Sequence, residues 1–339
     1  MTTIRDIARE AGFSVSTVSR VLAGHRDVAR DTAEQVQAVI DRHGFSVNRN
    51  ARRLKQTDSN TIVVVVKGRR NLLFASMLEL VQAGVTGLGR SVASLYLDED
   101  DDEVAAAEHL AGEVKPRGVV FLGADAAHFT ATTGRIGRDC PAIVLTNSMA
   151  GLTDLAVSSV STDDRLAGSL AVDYLLDQGH RSIGVIGGDP VVSTISRRRL
   201  DGVDQALDQA GSRLDRSTGY VATHFSLECG YDGALRLLDR RPGLTAIYAM
   251  GDILALGVVR ALYDRGLTVP GDVSVVGHDG TTFAAYAVPK LTTVRQPQTE
   301  LVERAIDRLR ANLAGDLEPV HDVLPVELVI GESVRALRG

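Results

Sequence analysis

Residues 3–24 read TIRDIAREAGFSVSTVSRVLAG, and the spacing of small, apolar and glycine residues in this stretch decides the organisation of the chain. Thr3-Ile4-Arg5-Asp6 has the form of a capping box, with Asp in place of the usual Glu at the third helical position. Ile4, Ile7, Ala8 and Ala11 then fall on one helical face. Gly12 supplies the left-handed position that ends such a helix. Ser14 can cap a second short helix, Val15 to Leu22, whose Val18, Val21 and Leu22 point inward, and Gly24 closes it. A third helix is predicted from about Arg30 to His43, with Ala33, Val36, Val39 and Ile40 on its apolar face, ending at Gly44. Ala8, Gly12 and Val18 stand at the spacing of a helix-turn-helix. There a small residue lets two helices approach, a glycine makes the turn and a branched residue packs between them. A generic three-helix bundle could share the three helices, and a basic surface alone could be merely solvated; the spacing together with the basic charge favours nucleic acid.

The charge is divided unevenly. Residues 1–59 hold ten bases and seven acids, a balance of +3, whereas the whole chain carries −6, leaving −9 for the remainder. Five bases and no acid lie between Arg42 and Thr57. A basic head on an acidic body points to a polyanion partner for the head alone. The chain has 339 residues, 44% hydrophobic and 24% charged, which excludes disordered and collagen-like classes and favours two or three domains. Its longest aliphatic run, Ile62–Val66, is far short of the ~20 residues of a membrane helix. Met1 leads straight into polar residues, so no secretory leader is expected. Cys140 and Cys229 are isolated, which fits a reducing cytoplasmic interior better than a disulfide framework or a metal cluster.

Thr3–Ala8, Ala11-Gly12-Phe13-Ser14, Thr17–Leu22 and Asn48-Arg49-Asn50-Ala51-Arg52-Arg53-Leu54 closely resemble the lactose-repressor and purine-repressor family of bacterial regulators. The resemblance implies that the second helix lies in the major groove of double-stranded operator DNA, with Val15, Ser16 and Arg20 facing base edges. Arg20 could fork onto guanine, Val15 could touch a thymine methyl and Ser16 could donate or accept. Thr17, Ser19 and the helix N-terminus at Ser14 would meet phosphates. Thr3 and Arg26 join this DNA-facing set. In the family, residues 47–59 correspond to a hinge helix ordered on DNA, with Asn48, Arg52 and Lys55 along the duplex. Leu54 would then be the apolar wedge that kinks the minor groove. Taken alone this segment has too little apolar surface to fold. Val47 departs from the family, which usually has proline there.

After Asn60 strands and helices alternate, implying parallel sheets covered by helices. Aliphatic runs fall at 62–66, 92–97, 118–122, 142–145, 182–186, 245–249 and 273–276. The resemblance continues through Gly179-His180-Arg181, Arg199-Leu200-Asp201-Gly202, Gly251–Gly257, Val276-Gly277-His278-Asp279 and Leu291–Val294. The expected fold is therefore a small all-α helix-turn-helix head (1–46), a hinge (47–59) and an α/β body (60–339) of periplasmic-binding-protein type. Its first lobe would hold about 60–160 and 292–320, its second about 161–291 and 321–339, with crossovers near Val160, Leu291 and Val320.

In open α/β sheets ligands sit beyond the carboxyl ends of strands. The resemblance assigns Asp279 as an acceptor for an effector and Arg199 as a grip on hydroxyl or carboxylate oxygens. Phe225 would be an aromatic wall, and Leu73 and Phe74 a floor from the first lobe. Asp252, in the Gly251–Gly257 motif, joins this set. Thr146 and Asn147 stand where a carboxylate is common, Leu72 where proline is common, and Gly331 where arginine is common. The acidic run Asp98 to Glu103 lacks calcium-loop spacing and reads as a solvated turn and helix start. Gly184–Gly188 lacks nucleotide-binding spacing, and neither a Gly-x-Ser-x-Gly elbow nor a His-Glu-x-x-His pair occurs, so no enzyme, cofactor or metal is expected. The expected function is that of a homodimeric transcriptional repressor on a pseudo-palindromic operator, controlled by a sugar or related metabolite. A solute receptor without a DNA role is the alternative, and residues 1–58 argue against it.

Overall fold

The left-handed turn expected at Gly12 is present in the computed structural model, which describes residues 4–22, 29–42, 60–132, 134–152 and 154–337. Three helices, α1 (Ile4–Ala11), α2 (Val15–Leu22) and α3 (Arg30–Arg42), form the described part of the first unit. Gly12 has φ +73°, and the Phe13 amide donates to the Ala8 carbonyl at 3.1 Å. That is the six-to-one bond of a Schellman end. One residue later the Ser14 hydroxyl accepts from the Thr17 amide at 3.1 Å, capping α2. Ala8, Val18, Val36, Val39 and Ile40 are the buried core, with Ala11, Phe13 and Val21 packed on it. The chain divides into Met1–Ser59 and Asn60–Gly339.

The second unit contains two six-stranded sheets. One holds β1 (Thr61–Lys67), β2 (Ser91–Leu97), β3 (Gly118–Leu122), β4 (Ala142–Thr146), β5 (Val157–Thr162) and β11 (His321–Leu324), in the order β11-β5-β4-β3-β1-β2. The other holds β6 (Ile183–Gly187), β7 (Tyr220–Ala222), β8 (Ala246–Ala249), β9 (Ser274–Asp279), β10 (Thr292–Arg295) and β12 (Glu327–Val329), in the order β12-β10-β9-β8-β6-β7. Every pairing is parallel except β10 with β12. The runs Ile62–Val66 and Ala142–Leu145 are buried throughout, as parallel strands covered on both faces must be.

Two crossovers fall later than the sequence suggested. Thr292–Arg295 pairs with Val276–Asp279 in the second sheet, so the chain returns to the first lobe after Arg295 rather than at Leu291. Likewise His321–Leu324 pairs with Ser159–Thr162 in the first sheet, moving the last crossover from Val320 to beyond Leu324. The physical reason is that each strand completes its ladder before leaving the sheet at its carboxyl end. Between these two strands, helix Gln298–Leu313 packs Leu301, Val302, Ala305, Ile306 and Leu309 into the first-lobe core.

In the second lobe two helices cross at glycines. A methyl group on Gly168 would overlap the Arg199 carbonyl, and one on Gly202 the Arg165 carbonyl. Helices Asp164–Asp177 and Thr194–Gln209 therefore touch backbone to backbone. This close crossing fixes the height of Arg199 above the sheet.

Candidate functional site

A cleft of about 620 Å³ runs between the lobes. It is bordered from the first lobe by residues following β1, β2, β3 and β4, and from the second by residues following β6, β7, β8, β9 and β10. All of these are carboxyl ends, where a doubly wound sheet leaves helix N-termini and unpaired loop groups facing one another. Of the residues singled out from the sequence, Leu73, Phe74, Thr146, Asn147, Arg199, Phe225 and Asp279 border the cleft.

Arg199 is 4% exposed. Its Nε donates to Asp164 Oδ1 at 2.9 Å and its Nη1 to the Met250 carbonyl at 2.7 Å. An arginine this deep needs a paired carboxylate, because an uncompensated buried charge costs several kcal/mol. Asp279 faces the same space. Its Oδ1 accepts from Gln296 Nε2 at 2.9 Å, and burial pushes its carboxyl well above the usual range although Arg199 pulls it down. Its backbone φ is +108°, and Thr146, at the corresponding end of β4, has φ +75°. Left-handed conformations are strained for such residues, most of all for β-branched threonine. Each lobe thus holds one strained residue at the cleft.

Asp252 is a correction. It does not border the cleft. Its carboxylate, fully buried, accepts from the Thr281 amide at 2.7 Å, the Thr281 hydroxyl at 2.9 Å and the Thr293 hydroxyl at 2.6 Å. Those bonds tie the loop after Asp279 to β10, so Asp252 shapes the site from behind. Standing first in helix Asp252–Asp264, it turns back toward that loop rather than outward to the cleft.

The acidic run from Asp98 to Glu103 is a second correction, because it is not simply solvated. Asp102 caps helix Glu103–Val114, but Glu103 is fully buried. It accepts from Lys67 Nζ at 2.6 Å and the Asp125 amide at 2.6 Å, and it pairs with His128 Nδ1 at 2.8 Å. This pins Lys67 and His128 on the first-lobe wall of the cleft. Asp102, Glu103 and His128 also bring ligand atoms within 4.8 Å of one another. The Lys67 ammonium already holds the shared Glu103 oxygen, so a metal would have to displace it. Glu99, Asn71 and Gln296 are further cleft residues that the sequence reading did not single out. Only Asn71 carried a local sign, as a helix cap accepting from the Leu73 amide at 3.0 Å.

On the head, Ser14 and Arg20 are exposed and Thr17 is half-buried. Val15, Ser16 and Ser19 lie on α2, but their side chains fall outside the described residues, as do Thr3, Arg26, Asn48, Arg52, Leu54 and Lys55.

Two family descriptions match: bacterial regulatory proteins of the lacI family over residues 3–48, and a periplasmic binding protein-like domain over 172–334. The chain is 33% identical to the HTH-type transcriptional regulator MalR of Clostridium butyricum, with 97% of this chain and 98% of that protein covered. Among solved structures, it superposes on the lac repressor dimer bound to operator and the anti-inducer ONPF with a TM-score of 0.70 at 26% identity, covering 99% of each chain. The transcriptional regulator CelR in complex with cellobiose gives a TM-score of 0.69 at 26% identity, covering 98% of this chain and 100% of CelR. With a described helix-turn-helix, a two-lobed body and end-to-end similarity at this level, the chain belongs to the lacI family of bacterial regulatory proteins.

Proposed function

We propose that this protein is a ligand-responsive, sequence-specific transcriptional repressor of the bacterial cytoplasm. It binds a pseudo-palindromic operator as a homodimer and releases or grips it according to a small molecule held between its lobes. The observation that carries the reading is the cleft itself: Arg199 and Asp279 from one lobe face Phe74, Thr146 and Asn147 from the other across about 620 Å³. That volume suits a sugar or a related polar metabolite. Paired donors and acceptors, with aromatic rings beside them, are what a polyhydroxylated ligand requires. Arg199 would donate to ligand oxygens, Asp279 would bind hydroxyls, and Phe74 and Phe225 would cover apolar ring faces. The cleft is assigned to binding rather than catalysis, in keeping with relatives that are transcriptional regulators.

On the DNA side, Arg20, Val15 and Ser16 would read base edges while Ser14, Thr17, Ser19, Thr3 and Arg26 meet phosphates. Asn48, Arg52, Leu54 and Lys55 would follow the minor groove. No helix among the described residues is long and apolar enough to cross a membrane. A gel shift of the purified protein with fragments from its own chromosome, repeated with a panel of sugars and sugar phosphates, tests the reading. A retarded fragment whose shift changes with one compound is the expected result. Absence of any sequence-selective shift would leave a solute receptor as the better account.

A further inference from the structure

The three crossovers leave the sheets at Thr162, Arg295 and Leu324, the carboxyl ends of β5, β10 and β11. With β12, these strands form one edge of the two sheets. At the opposite edge stand β2 and β7, where no covalent connection joins the lobes. A two-lobed body tethered along one edge is free to gape along the other unless something holds it. At that free edge the loop after β2 meets the loop after β7. Glu99 Oε1 accepts a hydrogen bond from the Phe225 amide at 2.8 Å. Beside it His224 Nε2 lies 3.4 Å from Asp100 Oδ1, and Arg70 Nη1 lies 3.9 Å from Glu228 Oε2.

We propose that Glu99 is a latch across the mouth of the cleft, holding the two lobes together through the Phe225 amide. The inference goes beyond the function proposed above and stands without it. The three links differ in weight. Asp100, His224, Arg70 and Glu228 are more than half exposed, and pairs of that kind contribute little. Glu99 is half-buried, packs its Cγ 3.4 Å from where a side chain on Gly68 would begin, and makes a charge-assisted bond to a backbone donor, the stronger type. Its partner is well anchored. The Phe225 ring packs against Gly188 and Gly251, and Ser226 caps helix Leu227–Arg240 through the Cys229 amide at 3.1 Å. Pulling on Phe225 therefore pulls on the whole second lobe. Glu99 acts through Phe225 and is a positioning residue: it sets where the aromatic wall stands, and it must let go whenever the mouth opens.

Amide hydrogen exchange on the full-length protein without ligand tests this directly. The Phe225 amide should be protected in the parent protein, and Glu99→Ala should speed its exchange roughly tenfold or more, the loss of one charge-assisted bond. Small-angle scattering should show a larger radius of gyration for Glu99→Ala as the lobes part. Glu99→Gln, whose amide oxygen still accepts, should keep most of the protection and the parent's radius. Asp100→Asn should change neither. An unprotected Phe225 amide in the parent protein overturns the latch whatever the variants do. So does a Glu99→Ala protein with unchanged exchange and scattering, or equal loss of protection in the Gln and Ala variants. None of these readouts uses DNA or an effector, so failure here leaves the regulatory reading untouched.

Discussion

At the scale of single residues, the same type of side chain takes opposite roles according to what surrounds it. Asp252 and Asp279 are both buried aspartates near β9, yet one ties a loop while the other borders the cleft. The motifs that contain them did not distinguish the two roles, because the difference lies in where each carboxylate ends up: Asp252 is enclosed by Thr281 and Thr293, whereas Asp279, held by Gln296, stays on the cleft. Asp279 has a measurable consequence. Burial raises its carboxyl above the ordinary aspartate value near 3.8. Above that value an unfolded chain gives up the proton that the folded protein retains, so this group's contribution to stability falls as pH rises toward neutrality. Asn at this position can still accept from Gln296 but cannot ionise. Asp279→Asn should therefore gain thermal stability relative to the parent as pH rises from 5 to 8. Melting curves across that range check it, and a constant offset would contradict the assignment.

Arg20 supplies a second prediction at this scale. If it forks onto guanine, Arg20→Ala should cost about 1–3 kcal/mol and relax preference at one base pair per half-site. Arg52→Ala or Lys55→Ala should weaken all sequences alike and lower the salt slope by about one. Competition binding against operator variants at two salt concentrations separates the cases.

At the scale of elements, legibility followed length and periodicity. The run Ile62–Val66 announced β1 because a strand buried on both faces is uninterruptedly apolar. Gly12, Ser14 and Val18 announced the turn and α2 because helix ends obey local rules. By contrast β7, β11 and β12 are three or four residues long, too short for alternation to register. The misplaced crossovers followed directly from missing β11 and from assigning Thr292–Arg295 to the wrong lobe. The cleft residues Lys67, Glu99 and His128 were hidden for a related reason. Each reaches the cleft only when β1, β2 and β3 bring their carboxyl ends together, which no spacing along the chain encodes.

The glycine crossing between helices 164–177 and 194–209 gives the prediction at this scale. Gly202→Ala forces the two backbones apart, an overpacking cost of about 1–3 kcal/mol, and disturbs Arg199, which stands one turn earlier on the same helix. Gly112→Ala is the contrast. It lies on helix Glu103–Val114 with open space where a methyl would go, so it should stabilise by about 0.5–1 kcal/mol. Denaturant midpoints of opposite sign would bear out the crossing; a neutral Gly202→Ala would sink it.

At the scale of the whole molecule, regulation requires the cleft and the DNA-binding head to share one conformational equilibrium. A ligand can shift that equilibrium only by binding one lobe arrangement better than the other. The cleft is suited to this because its contacts are split: Arg199, Phe225 and Asp279 move with the second sheet, Leu73, Phe74, Thr146 and Asn147 with the first. A molecule that engages both sets binds more tightly when the lobes are close. Segment 47–59 joins the head to β1 of the first lobe in the chain, and the hinge expected there is marginal on its own. A small rearrangement of the lobes in a dimer should then suffice to melt it and withdraw Leu54 from the minor groove. Asp279→Ala should abolish the effector response while leaving operator binding without effector nearly intact, since this residue is remote in sequence from the reading helix. Reciprocity makes the coupling falsifiable. If effector changes operator affinity by some factor, operator must change effector affinity by the same factor, about 5–150-fold for such couplings. Calorimetric titration of a confirmed effector, with and without a saturating operator duplex, measures it. Equal affinities in the two titrations would mean that the cleft binds its ligand without controlling the head.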